Sequence, residues 1–412
     1  MLKHKKERGQ ALVVIAIALI VLVGILGLVI DGGNAFLDRR KAQNAADSAA
    51  LAAAVTRIRG ESDWVAAALT VAASNGYNSD GVKNVVTVYS PPTDGPFAGN
   101  VEYIEVIITS HVDTYFAKVI GKSEVTNIVK ATARSKPSEV RELLHGLAIV
   151  SLAPTSNCSN QKSFWVHGEA TLDITGGGVF INSNNNDCAL IQQGSGSIRI
   201  RDANQITVVG GASIQKPQLL TPGVAIGGTP INYPPPFFMP DVKCGADVAE
   251  ISEDGTSMSP GNWDDKFPPK GVTHLEPGVY CLNDGFDFND NQTLEGHNVT
   301  FKVEHGEVRF GGNANIIIDA PSTGENKGLL IFLPMENNSQ VILNGGSESI
   351  FKGTILAPAS EIVIKGNQSK TGFQSQIIGY RIDSDGDSNV VIVYNNEQNF
   401  DAITMPEVQL SQ

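Results

Sequence analysis

The sequence predicts an N-terminal transmembrane helix that continues into a long α-helix, then a small α/β module, then a mostly-β body. The body reads as a right-handed parallel β-helix, with a β-sandwich as the alternative. Three features point to this. Residues 11–30 carry no charge, and as a helix they rise ~30 Å, the thickness of a hydrocarbon core. Residues 34–58 follow without Gly or Pro and are rich in alanine, a strong helix-forming composition. From residue 147 onward, short β-branched runs recur between Gly and Asn clusters, with almost no helical period.

Lys3, Lys5, Lys6 and Arg8 precede the span and mark residues 1–10 as a basic tail held in the cytoplasm. Arg39, Arg40 and Lys41 lie just past it and partly oppose that orientation, although long domains translocate largely regardless of charge. The span is too long for an ordinary signal peptide and lacks a small-residue cleavage site. The expectation is therefore an uncleaved, single-pass signal-anchor in the cell membrane, with the body extracytoplasmic. Residues 31–59 form a helical stem with a weak point at Gly32-Gly33, and its alanine-rich face permits close helix–helix approach.

The charge is divided. Residues 1–60 hold nine Lys/Arg against four Asp/Glu, a net of +5, so the total of −13 leaves −18 on the rest. A basic foot suits the anionic face of a lipid bilayer. An acidic body excludes nucleic acid as a partner, since phosphate binding needs clustered Lys and Arg. A charged fraction of 18% together with 42 Gly among 412 residues suits extended β architecture and extracellular surfaces better than a cytosolic enzyme.

Arg8-Gly9-Gln10-Ala11, an apolar span closing on Leu28-x-x-Asp31, and a basic helix with Gln43-Asn44-x-x-Asp47 and an alanine tract to Ala54 occur in that order. Over residues 8–56 the chain resembles the N-terminal module of TadG-like (TadE/TadG) Flp pilus-assembly proteins, with Asp31, Gln43, Asn44 and Asp47 as the stem motif. The resemblance implies a membrane-anchored component of a Tad/Flp-type pilus assembly or secretion system, whose partners are the pilus machinery or pilin subunits. A pseudopilin cut after Gly9 and built into the filament is the alternative. Type IV-like processing favours Glu five residues past the cut, where this chain has Val14.

Residues 60–136 read as a small α/β spacer. Ser62 can N-cap a helix from Trp64 that stops at Asn75-Gly76. Strands come next at 85–89 and 103–108 around a Pro- and Gly-rich turn, then a short helix at 115–121 and a strand at 125–134. This order is similar to the region immediately after the stem in TadE/TadG-like proteins. Residues 137–146 are a linker, 147–400 the body, and 401–412 a C-terminal tail. Within the body, 216–270 is a Pro-rich excursion with Tyr233-Pro-Pro-Pro-Phe-Phe-Met-Pro240. Such a polyproline-like segment is expected to pack along the body's flank, with binding of a partner as the alternative. Pro277-Gly278-Val279-Tyr280 is a turn feeding a strand, and residues 273–393 resemble the β-helical region downstream of TadG-like stems.

Cys158, Cys188, Cys244 and Cys281 lack zinc-site spacing. In a translocated domain they suggest two disulfides, and sequence order favours Cys158–Cys188 with Cys244–Cys281 among three pairings. No catalytic motif stands out, and no enzyme activity is expected. His167-Gly-Glu169 and His297 with Glu304 and His305 are the nearest approach to a site, His297 and Glu304 being close enough to meet across a coil. Asp284, Asp287 and Asp290 alternate as the two carboxylates of a glycosidase groove would. They keep open a carbohydrate-active or carbohydrate-binding body with surface glycans as partners, and adhesion as the outcome. Asp383, Asp385, Asp387 and Asn389 alternate around Gly386 as in the opening of a calcium loop. A plain Asp-Gly hairpin turn explains the same residues, and apart from calcium no cofactor is expected.

Overall fold

Helix α1 (Gln10–Ile58) is continuous for 49 residues and runs through Gly32-Gly33 unbroken. It opens the chain in a computed structural model that describes residues 10–411 apart from 290, 312–313, 345, 347, 367–370 and 387–388. Its first part is long and apolar enough to cross a bilayer, and the large side chains from Leu12 to Ile30 are exposed. The second part behaves differently. Ala42, Ala45, Ala46, Ala49, Ala50, Ala53 and Ala54 are fully buried, spaced three and four apart on one helix face.

That face lies on an antiparallel sheet of the strands Asn84–Tyr89, Tyr103–Asp113 and Glu124–Lys136, with Glu407–Ser411 added at the edge of the last. Strand alternation turns Ile104, Val106 and Ile108, and then Val129, Ala131 and Ala133, toward the alanines. Helix α2 (Trp64–Ser74) contributes Ala68 and Ala72 to the same core. It starts after Asp63 rather than from a Ser62 cap, and Asp63 makes no side-chain cap hydrogen bond. The short helix is a 3-10 turn, Ala117–Ile120.

The chain divides into two units, residues up to 139 with 405 onward, and residues 140–404. Stem and spacer are therefore one unit, because an alanine face leaves water only against a surface of its own. Within the expected C-terminal tail, residues 401–411 carry two strands. Asp401–Ile403 pairs with Val140–Glu142, a strand inside the expected linker, while Glu407–Ser411 belongs to the first unit.

In the body, strands pair in parallel, and most pair with the strand about three places further along. Thr171–Thr175 pairs with Ser197–Ile200 and that with Leu220–Thr221, while Gly178–Ile181 leads in the same way through Ile206–Val208 to Val224–Ile226. A second series starts at Ser257–Met258 and ends in the long strands Ile350–Gly366 and Thr371–Gly386, with Asn389–Val393. These last strands pair with the first of the body. Thr371–Gly386 joins Leu147–Ser151 and Phe164–Val166, and Asn389–Val393 joins Thr171–Thr175. The body thus begins in the middle of its own ladder. The segment 227–256 connects the strand at one end, Val224–Ile226, to the strand at the other, Ser257–Met258.

Register aligns side chains in rows. Val224, Ile206, Val179, Ile149, Ile377, Ile355, Ile331, Phe301 and Tyr280 form one row, buried from Ile206 to Tyr280. Rings also succeed one another, with centroids 4.9 Å apart for Phe267–Phe286, 4.8 Å for Phe286–Phe310 and 5.2 Å for Phe310–Phe351.

One residue further along the same strands, a row on the opposite face reads Phe180, Val150, Ile378, Leu356 and Phe332. The excursion covers it together with Leu143, Phe400 and Ala402. Phe237 and Val242 are buried against these residues. Asn182 exchanges two hydrogen bonds with the Ile231 backbone at 2.7 and 2.8 Å, and the Tyr233 hydroxyl donates to the Pro358 carbonyl. The irregular part is 227–256, narrower than 216–270, since residues 220–226 and 257–263 supply strands. Gly278 has φ +148°, and a Cβ there would stand 2.6 Å from the Pro260 ring.

Candidate functional site

The stem's polar residues attach it to its own sheet. Asp31 is 5% exposed, and its carboxylate accepts the backbone N–H groups of Tyr115, Phe116 and Ala117 at 2.9, 3.0 and 2.7 Å. It therefore caps the 3-10 turn at the point where the apolar part of α1 ends. Burial opposes its charge, but the three donors outweigh burial and hold its pKa below the ordinary carboxylate range. The Gln43 amide donates to Asp47 at 2.8 Å and to the Lys130 carbonyl at 2.9 Å. Asn44 is exposed, and its carbonyl accepts the Ser48 hydroxyl.

Two anchors were not apparent from the sequence. Asp38 accepts hydrogen bonds from Asn127 at 2.7 Å and Tyr77 at 3.0 Å, and from the Ser110 hydroxyl. Burial, with Asp38 beside it, pushes the Tyr77 hydroxyl upward from its usual pKa. Arg57 donates to the Ser90 hydroxyl at 2.6 Å and to Ser135 at 3.0 and 3.2 Å. Positions 31, 38, 42, 45, 49, 53 and 57 lie on one helix face, so the signal was present in spacing alone.

In the body, Asp383 and Asp385 meet His167, at 3.0 Å from Nε2 and 3.4 Å from Nδ1. The register places Asp383 beside Trp165. The Trp165 ring stacks on His167 with centroids 3.5 Å apart, the Lys162 ammonium sits over the same Trp ring, and the indole N–H reaches Gln193. Burial raises the Asp383 pKa, with His167 opposing the rise. Asp387 lies outside the described residues, and Asn389 opposes Thr171 in a ladder. Among the described residues, no group of three or more His, Cys, Asp or Glu side chains is placed to hold a metal ion.

His297 does not pair with Glu304. It contacts Asp319 and Glu295, the latter at 3.0 Å, while Glu304 pairs with Lys302. Asp319 foremost, then Glu295, raises the His297 pKa. His305 and Glu169 are exposed. Of the alternating acids, Asp284 and Asp287 are exposed, Asp287 stands opposite Arg309, and Asp290 lies outside the described residues. Cys158–Cys188 and Cys244–Cys281 stand at disulfide distance, 2.01 and 1.90 Å, the second pinning the excursion to the strand Gly278–Leu282.

What the geometry offers is attachment: a stem hydrogen-bonded to its sheet, and a body whose polar clusters pair acid with base. Residues 9–56 match the Tad family model, which describes Flp pilus-assembly TadE/G-like proteins. No curated protein and no solved structure matched the chain.

Proposed function

We propose, from a stem whose residues 9–56 form a TadE/G-like Flp pilus-assembly module, that the chain is a membrane-anchored component of a Tad/Flp-type pilus assembly or secretion system. The observation that carries this reading is the coincidence of the family match with a single helix, Gln10–Ile58. One part of that helix is apolar and exposed, and the other is seated on a sheet. The basic residues before the span favour a cytoplasmic N-terminus and an extracytoplasmic body.

We further infer that the body is a right-handed parallel β-helix. Supporting this are pairing between strands about three places apart and rows of stacked aliphatic and aromatic side chains, as expected where each coil contacts only its neighbours. Its role in this reading is non-enzymatic: a rigid, acidic surface for pilus machinery, pilin subunits or surface glycans. Deleting the chain from its host and counting surface filaments tests the proposal. Filaments should disappear and return when the chain is restored. Unchanged filament number and length would overturn it.

A further inference from the structure

The segment 114–122, Thr-Tyr-Phe-Ala-Lys-Val-Ile-Gly-Lys, joins two strands of the stem's sheet and is apolar at its tip. Tyr115 is 70% exposed, Val119 88% and Ile120 76%. Yet this tip does not face away from the rest of its unit. Phe116 lies against Gly27, where a Cβ would stand 2.6 Å from it. Phe116, Val119 and Ile120 share the lining of one hollow with Ile20, Val23, Gly24 and Leu28 of α1. Residues 20–28 rise ~12 Å along the helix and lie within the uncharged span.

We propose that this tip is a second membrane contact, a wedge that enters the leaflet next to the stem and rests on the spanning helix. This placement depends on α1 crossing the bilayer: a tip packed on residues 20–28 then lies below the headgroups with them. Its chemistry fits that depth. Between Thr114 and Lys122 there is no acidic residue. Tyr115 has the amphipathic ring favoured at membrane interfaces, and Lys118 and Lys122 are long enough to extend their ammonium groups back toward headgroups.

A loop enters hydrocarbon only if its backbone polar groups are satisfied, and this one largely satisfies its own. The amides of Tyr115, Phe116 and Ala117 go to Asp31. Those of Val119, Gly121 and Lys122 go to carbonyls within the loop, and that of Thr114 goes to Ser123. The Thr114 hydroxyl donates to the Lys122 carbonyl. Asp31 thus ends the span and also holds the wedge against it.

The test uses the full chain reconstituted in vesicles with acyl chains brominated near the headgroup or near the chain end, compared with unbrominated lipid. Two variants are made, Val119→Trp and Leu22→Trp, and the signal of the unmodified protein, with Trp64, Trp165 and Trp263, is subtracted. The expected result is a blue-shifted Val119→Trp emission quenched about twofold, matching an apolar face buried 5–10 Å into the leaflet, with Leu22→Trp also quenched. Quenching of Leu22→Trp with no quenching of Val119→Trp would overturn the wedge and leave the anchor standing. A blue shift of Val119→Trp without quenching would mean that protein, such as a second copy of the chain, covers the tip, and would also overturn it. Quenching of neither would remove the anchor reading itself.

Discussion

The two cores of this protein are built from opposite materials. The stem is held by alanines: seven buried on one face of α1 against Val, Ile and Ala of four strands. The body is held by large side chains in register, with Phe164, Phe267, Phe286, Phe301, Phe310, Phe351 and Phe373 all fully buried. An alanine seam gains little from each side chain and depends on close approach and on the polar contacts of Asp31, Asp38, Gln43 and Arg57. A row of aromatics gains most of its stability from volume buried. The difference means that the stem is sensitive to added atoms and the body to removed ones.

Changes at four sites probe that contrast. Phe301→Ala opens the buried row beside its Tyr280 end and is expected to cost about 3–5 kcal/mol, read by denaturant unfolding of the body. Phe301→Leu should cost less. An outcome in which the two are equal would show that volume is not what holds the row. Next comes the paired change Cys244→Ser with Cys281→Ser. It releases a loop of 37 residues and should remove about 4 kcal/mol by the chain-entropy account. The same change should make residues 227–256 cleavable in limited proteolysis, and continued protection would show that the buried Phe237 and Val242 and the hydrogen bonds of Asn182 and Tyr233 hold the segment without the disulfide.

In the stem the sign of the volume effect reverses. Ala49→Leu, a larger apolar side chain, should lower the stability of the first unit by about 1–3 kcal/mol through overpacking. The body's transition should not move, so scanning calorimetry that resolves the two units checks both statements. A neutral Ala49→Leu would contradict the close seam.

The smallest effect is electrostatic. The His297 pKa is raised by Asp319 and then Glu295. Its contribution is therefore fully present below the unfolded-state value of about 6.5 and is lost as pH rises through the folded value. His297→Gln should then cost stability at pH 5 and almost none at pH 9. The side chain is half exposed, so the cost at pH 5 stays under about 1 kcal/mol. A pH-independent loss would assign the residue a packing role instead.

The elements were legible in the sequence because each is written locally. The uncharged span, the Gly- and Pro-free stem, the helix from Trp64 and the β-branched runs need only periodicity and turn residues. The illegible part depends on distant register. Asp383 and His167 lie 216 residues apart and meet only because Thr371–Gly386 pairs with Phe164–Val166, a closure that no local pattern records. The stem's seat on its own sheet was missed for a related reason: an alanine face reads equally as a surface for other helices or for strands. The spacing of Asp31, Asp38 and Arg57 with those alanines would have favoured an intramolecular partner, since buried charges need partners at defined positions.

The most direct measurement is N-terminal peptide mass spectrometry on the chain from washed membranes and from sheared filaments. An anchored assembly component starts at Met1 or Leu2 and is confined to membranes, and this is the expected result. A start at Gln10 in the filament fraction would make the chain a pilin and contradict the anchor.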